Sequence, residues 1–123
     1  MEPCRTVVVI DDDPSVRSSL ARLLRASGFD VSTYASAEAF LAGPASDKGI
    51  CLVLDIHLGG MSGLELADCL DQQARSVPIV FISAQDGPLP AERCARSETI
   101  AFLCKPFDER VLIEAVSRAL AAS

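Results

Sequence analysis

The sequence predicts an α/β domain: a doubly wound, five-stranded parallel sheet with five helices, and three observations predict it. Apolar, β-branched runs alternate with helical patterns from one end of the chain to the other. Three of the runs, Thr6–Ile10, Ile50–Leu54 and Ile79–Ile82, are continuous hydrophobic stretches, the composition of strands covered on both faces. A helical segment separates each run from the next, so the strands need crossover connections, which are right-handed and leave the strands parallel.

Taken in order, Thr6–Ile10 is the first strand and runs straight into Asp11, Asp12 and Asp13. Pro14 suits the first turn of a helix, on which Val16, Leu20, Leu23 and Leu24 share a face until Gly28 ends it. Val31–Tyr34 is short and mixed, as befits an edge strand. Ser36 caps a short helix through Phe40 and Leu41, stopped at Gly43–Pro44. Ile50–Leu54 is the third strand, and Ser62–Gly63 opens a helix with Leu66 and Leu70 at i, i+4. After Ile79–Ile82 the pattern weakens. Pro88 and Pro90 delay a helical segment at Ala91–Arg96, whose apolar groups are Ala91, Cys94 and Ala95, so this helix is expected to be marginal. Ile100–Cys104 is the fifth strand, and Asp108 caps a last helix with Leu112, Ala115, Val116 and Ala119 inward.

The 123 residues, half of them hydrophobic, fit a single domain, residues 1–123. A domain of this size buries roughly two thirds of its unfolded surface. A net charge of −6 without a cluster of basic residues excludes a direct nucleic-acid surface. No apolar run approaches the ~20 residues that span a bilayer, and the opening "MEPCRT" is no signal peptide. A cytoplasmic location without membrane contact is expected. The five cysteines (Cys4, Cys51, Cys69, Cys94 and Cys104) are scattered without a CxxC pair, so they read as reduced structural residues.

Ligands of such sheets sit beyond the carboxyl ends of the strands. Asp11, Asp12 and Asp13 follow the first strand, Asp55 the third, Ser83 the fourth, and Lys105 with Pro106 the fifth. Hard cations take oxygen ligands, commonly one or two carboxylates with water and phosphate completing the shell. Asp12 and Asp55 form such a pair for Mg²⁺ (or Mn²⁺), with Asp11 holding a coordinated water, and cation binding relieves the repulsion among these acids. Asp13 reads instead as the cap of the helix beginning at Pro14. A carboxylate beside such a cation can also attack phosphorus. The cation would then cover one phosphoryl oxygen, Lys105 a second, and the Ser83 hydroxyl with a neighbouring backbone N–H the third. The plainer alternatives are a surface lysine at 105 and a strand-end cap at 83.

The segments "VVVIDDDPSVRSSL", "LVLDIHLGGMSGLEL", "PIVFISAQDG" and "FLCKPFDERVL" resemble the response-regulator receiver domains of two-component signalling, over essentially the whole chain. The subgroup attached to helix-turn-helix transcription factors is the most similar. The resemblance implies a flavodoxin-like receiver fold with strand order 2-1-3-4-5. It implies Asp55 as the phosphoacceptor, Asp11 and Asp12 as the acid pair, Ser83 as the switch hydroxyl, Lys105 as the phosphate-binding lysine and Phe102 as the aromatic switch. The backbone carbonyl of His57 would complete the metal shell, while the His57 side chain reads as a solvent-facing loop residue. The implied partners are a sensor histidine kinase or phosphotransfer protein, a C-terminal helix-turn-helix output domain and, on phosphorylation, a second copy of the chain. The chain is then no enzyme beyond its own phosphorylation and dephosphorylation. His57 and Gln85 stand where residues border the path of the attacking water.

Three positions depart from the family pattern. Gly59 stands where proline is usual, which would loosen the turn after Asp55. Glu98 stands where glycine is usual and would be strained at positive φ. Ser83 replaces the more common threonine and keeps the hydroxyl. Rival readings are a haloacid-dehalogenase-type phosphohydrolase with Asp11 as nucleophile, a receiver that no longer takes phosphate, and a nucleotide-binding Rossmann domain. The last would want GxGxxG where the chain has acids.

Overall fold

The computed structural model describes residues 6–43, 49–83 and 98–122. Its elements are β1 (Thr6–Ile10), α1 (Pro14–Ala26), β2 (Asp30–Tyr34), α2 (Ala37–Leu41), β3 (Ile50–Asp55), α3 (Gly63–Gln72), β4 (Ile79–Ser83), β5 (Thr99–Cys104) and α4 (Glu109–Ala122). The five strands form one sheet in the order β2-β1-β3-β4-β5, every neighbouring pair parallel. This is the order that the family resemblance implies. The three continuous apolar runs are its three central strands, and β2, with its mixed composition, lies at one edge.

Alternation along each strand splits the core into two layers. Val8, Ile10, Leu52, Leu54 and Phe81 meet Phe40 of α2 and Leu66 and Leu70 of α3 on one face. Val7, Val9, Val53, Val80 and Ile82 meet Leu20 and Leu24 of α1 and Leu112, Val116 and Ala119 of α4 on the other. With both faces covered, β1, β3 and β4 have no solvated side, so every position on β3 and β4 is buried.

The ladder carries four strands past the apolar residues that announce them, β2 beginning at Asp30 opposite Thr6. Asp55 pairs with Ile82, Ser83 pairs with Cys104, and Thr99 pairs with Ile79. Ladder hydrogen bonds join backbone groups, so a polar side chain at a strand end does not stop them. β5 forms the second edge and is half-buried throughout, whereas its apolar sequence carries no edge signal.

Caps are where the sequence puts them. Asp13 accepts from the N–H groups of Ser15 (2.9 Å) and Val16 (3.4 Å). Ser62 and Glu65 form a reciprocal capping box on α3, and Asp108 accepts from the N–H of Arg110 (2.8 Å). Gly28 ends α1 at φ +96°. Ala74 takes a positive φ (55°), and Glu98 stands just before β5. Its carbonyl accepts from Ile79 N–H at 2.7 Å. Burial pushes the Cys51 thiol up to about 12, so that residue is an inert part of the core. Among the described residues no helix is long and apolar enough to cross a membrane. The expected helix at Ala91–Arg96, together with Gln85, Cys4 and Cys94, lies outside the described residues.

Candidate functional site

The carboxyl ends of β1, β3, β4 and β5 bring the predicted residues to one rim. Asp11 follows β1 and is completely buried; Asp55 ends β3 at 5% exposure, Ser83 ends β4 at 2%, and Lys105 follows β5. Asp12, next along the chain, is exposed. Carboxylate oxygens of Asp11, Asp12 and Asp55 all lie within 4.8 Å of one another.

Bringing acids this close costs free energy, and the fold offsets it with donors. Lys105 Nζ stands 3.2 Å from Asp11 Oδ2 and 3.5 Å from Asp55 Oδ2, bridging the two buried acids. Asp13 N–H donates to Asp11 Oδ1 and His57 N–H to Asp55 Oδ1, each at 2.9 Å. Gly59 N–H donates to Asp12 Oδ2 at 3.2 Å. The mutual repulsion of the acids is therefore already partly relieved by the protein's own groups, and not by a cation alone.

Burial pushes the Asp55 carboxyl above its ordinary range, the Asp11 charge acts in the same direction, and the His57 N–H and Lys105 pull the other way. For Lys105, burial alone would lower the ammonium. The Asp11 hydrogen bond and the charges of Asp55 and Asp11 outweigh it, leaving the group above its ordinary value.

Local packing explains why the β3–α3 loop can serve this site. A Cβ on Gly63 would overlap the Asp55 carbonyl, so only glycine lets α3 begin this close to the end of β3. Gly60 is at φ +77°, and Glu38 of α2 reaches over it to accept from Met61 N–H at 3.2 Å. On the α1 side, Arg17 Nη1 donates to the Asp11 carbonyl at 2.7 Å. Lys105 N–H donates to the Ser83 carbonyl at 2.7 Å, and the Lys105–Pro106 peptide is cis.

Residues 7–117 match the family model described as response regulator receiver domain. The chain belongs to that family. Among curated relatives, the transcriptional regulatory protein TdiR of Thauera aromatica is 38% identical over 116 residues, covering 94% of this chain and 51% of TdiR. The transcriptional regulatory protein FixJ of Azorhizobium caulinodans is 42% identical over 119 residues, covering 95% of this chain and 56% of FixJ. The receiver domain thus spans about half the length of the curated relatives it matches. Among solved structures, the response regulator StyR superposes with a TM-score of 0.90 at 42% identity, over 96% of this chain and 60% of that one. The crystal structure of FixJ-N gives 0.84 at 36% identity, over 97% and 95%.

Membership of the receiver family removes the hydrolase and Rossmann readings. Asp11, Asp12, Asp55 and Lys105 are brought together as a set. Phe102 lies on β5 opposite Phe81 and is half-buried against the layer that holds α2 and α3. His57 is exposed, in keeping with a loop side chain, and its N–H engages Asp55. Gly59 is not among the positive-φ glycines, and its N–H, which a proline would lack, ties the loop to Asp12 across 47 positions. Glu38 and Arg17 also went unmarked by sequence reasoning. Glu38 carries no local signal, being 23 residues from its partner. Arg17, one turn into α1, could have been suspected from its nearness to the acids.

Proposed function

We propose that this receiver domain, residues 1–123, is a phosphorylation-dependent switch that accepts a phosphoryl group on Asp55 in a Mg²⁺- (or Mn²⁺-) dependent reaction. The observation that carries this reading is the convergence of three carboxylates and one ammonium on the end of β3. The donor set suits a hard cation: Asp11, Asp12 and Asp55 offer only oxygen, and the His57 carbonyl would add another. When bound, the cation supplies positive charge to a phosphoryl oxygen.

The protein's own groups account for the rest. An Asp55 oxygen attacks phosphorus while the bond from phosphorus to a phosphohistidine nitrogen, or to the oxygen of a small acyl phosphate, breaks. The burial that raises Asp55 also strips water from this nucleophile. Lys105, already 3.5 Å from Asp55, needs little movement to meet a second phosphoryl oxygen. The Ser83 hydroxyl takes the third, and Phe102 follows it inward from β5. The shift at β5 then presents a surface to an output domain or a second copy of the chain.

The donor is a sensor histidine kinase or phosphotransfer protein, and catalysis is limited to the chain's own phosphorylation and slow loss of the phosphate. A location in the cytoplasm agrees with this role. The proposed output partner is a helix-turn-helix domain outside this chain, which spans about half the length of the transcriptional regulators it matches. Acetyl phosphate with MgCl₂, followed by mass mapping, tests the reading. Modification at Asp55 that is absent in Asp55→Asn is the expected result. Modification at Asp11 would restore the hydrolase reading, and no modification would mark a receiver that no longer takes phosphate.

A further inference from the structure

Asp12 is the exposed member of the acid cluster, and an exposed aspartate with two free torsions would ordinarily sample many positions. Here it accepts from Gly59 N–H, on a loop contributed by a different strand. That donor is held from both sides. Met61 N–H is fixed by Glu38 Oε2 (3.2 Å), Gly63 N–H by the Ile56 carbonyl (3.0 Å), and Ser62 by its capping box with Glu65. Upstream, His57 N–H is fixed on Asp55 Oδ1. The loop between Asp55 and α3 is therefore a rigid bracket, and Gly59 N–H projects from it onto the one cluster carboxylate that burial does not restrain.

We propose that Gly59 is a positioning residue for cation uptake: its N–H holds the Asp12 carboxylate within reach of Asp11 and Asp55 before and after the cation arrives. The proposal rests on the reading that these three acids hold Mg²⁺. Partners that orient a metal's ligands raise affinity without touching the metal. The position also has a specific chemical requirement. Any residue except proline supplies the N–H, and space permits a small side chain, since among the described residues a Cβ on Gly59 would meet only Asp12 Oδ2, at 3.9 Å.

Calorimetric titration of the full chain with MgCl₂ compares the wild type with Gly59→Pro, Gly59→Ala and Asp12→Ala, each also melted without metal. Gly59→Pro should weaken Mg²⁺ binding by roughly three- to tenfold, what the loss of one ordinary hydrogen bond is worth. Gly59→Ala, which keeps the N–H, should hold the wild-type affinity. Equal affinity in the proline and alanine variants, with both folded, overturns the proposal. A second measurement stands even if the proline variant does not fold. In the wild type the Gly59 amide should be protected from hydrogen exchange with and without Mg²⁺, and lose protection in Asp12→Ala. Release of that amide on adding Mg²⁺ would mean that the N–H competes with the cation, and would also overturn it. A wild type with no Mg²⁺ binding that Asp12→Ala removes would sink the site reading itself, a result distinct from either.

Discussion

Cys51 to Leu54 and Asp55 lie on one strand and are all buried, yet burial stabilises the first four and works against the fifth. The apolar residues leave water at a gain, about 25 cal/mol for each Å² removed. Asp55 leaves water at a cost, visible in the upward push on its carboxyl; Asp11 adds to that cost, while the His57 N–H and Lys105 offset it. The same contrast holds for β1, where Val9 and Ile10 are followed by the fully buried Asp11. A doubly covered sheet makes the strand ends dry without regard to what stands there. Charge placed at those ends costs stability, which the apolar residues preceding it on the same strands supply.

The contrast can be broken most severely from the core side. Phe81 is fully buried on β4, and Phe81→Ala should cost about 3–5 kcal/mol of unfolding free energy in urea titration. Its register partners Leu54 and Phe102 flank the space it would leave. A loss below ~1 kcal/mol would mean that the layer facing α2 and α3 closes over the gap.

Next in size is Lys105→Ala, which strands two buried carboxylates. In metal-free protein a loss of about 1–3 kcal/mol is expected, the cost of leaving buried polar groups unsatisfied. Millimolar Mg²⁺ should recover more of that loss in the variant than it adds to the wild type, because the cation replaces the missing positive charge. Thermal melts with and without MgCl₂ measure both. A variant that melts like the wild type would show that the lysine does not neutralise the rim.

A smaller effect separates two adjacent acids. Asp13→Ala removes the cap of α1 and should cost about 1 kcal/mol while leaving acetyl phosphate labelling in place. Asp12→Ala should do the reverse, keeping α1 capped and losing Mg²⁺-dependent labelling. Loss of labelling in both would mean that Asp13 also serves the site.

The smallest change, and of opposite sign, is Asp55→Asn. A carboxyl raised by folding contributes stability that is fully present below its unfolded value and lost as pH rises through its folded value. The asparagine cannot ionise and loses nothing. In metal-free protein the variant should therefore gain on the wild type by about 1 kcal/mol or less at neutral pH, where most of a shielded charge's cost is already met by its partners. The gain should shrink as the pH falls towards 4. A variant less stable than the wild type at pH 7 would show that the Lys105 pairing outweighs the burial.

Much of this was legible in the chain alone, because it depends on local pattern. Unbroken apolar runs suit the central strands of a doubly covered sheet, and three of the four took those places, the fourth forming the β5 edge. Asp13, Ser36, Ser62 and Asp108 act as caps through side chains that reach two or three residues along, so their spacing suffices. The acids at the rim were equally plain once parallel strands were granted, since every strand then ends at the same edge. What tertiary structure alone decided are the contacts that bridge distant parts of the chain. The second edge at β5, the Lys105 bridge across 94 and 50 positions, the Glu38 clamp and the Gly59 tie on Asp12 have no periodicity to announce them. They arise because the order β2-β1-β3-β4-β5 sets the loops after β1 and β3 side by side and brings the residue after β5 back towards both. Glycine at 59 reads in sequence as a looser turn; in the fold it is a backbone donor aimed at a charge. The physical reason is that an amide's partner is set by what the sheet brings opposite it, and the local sequence does not contain that partner.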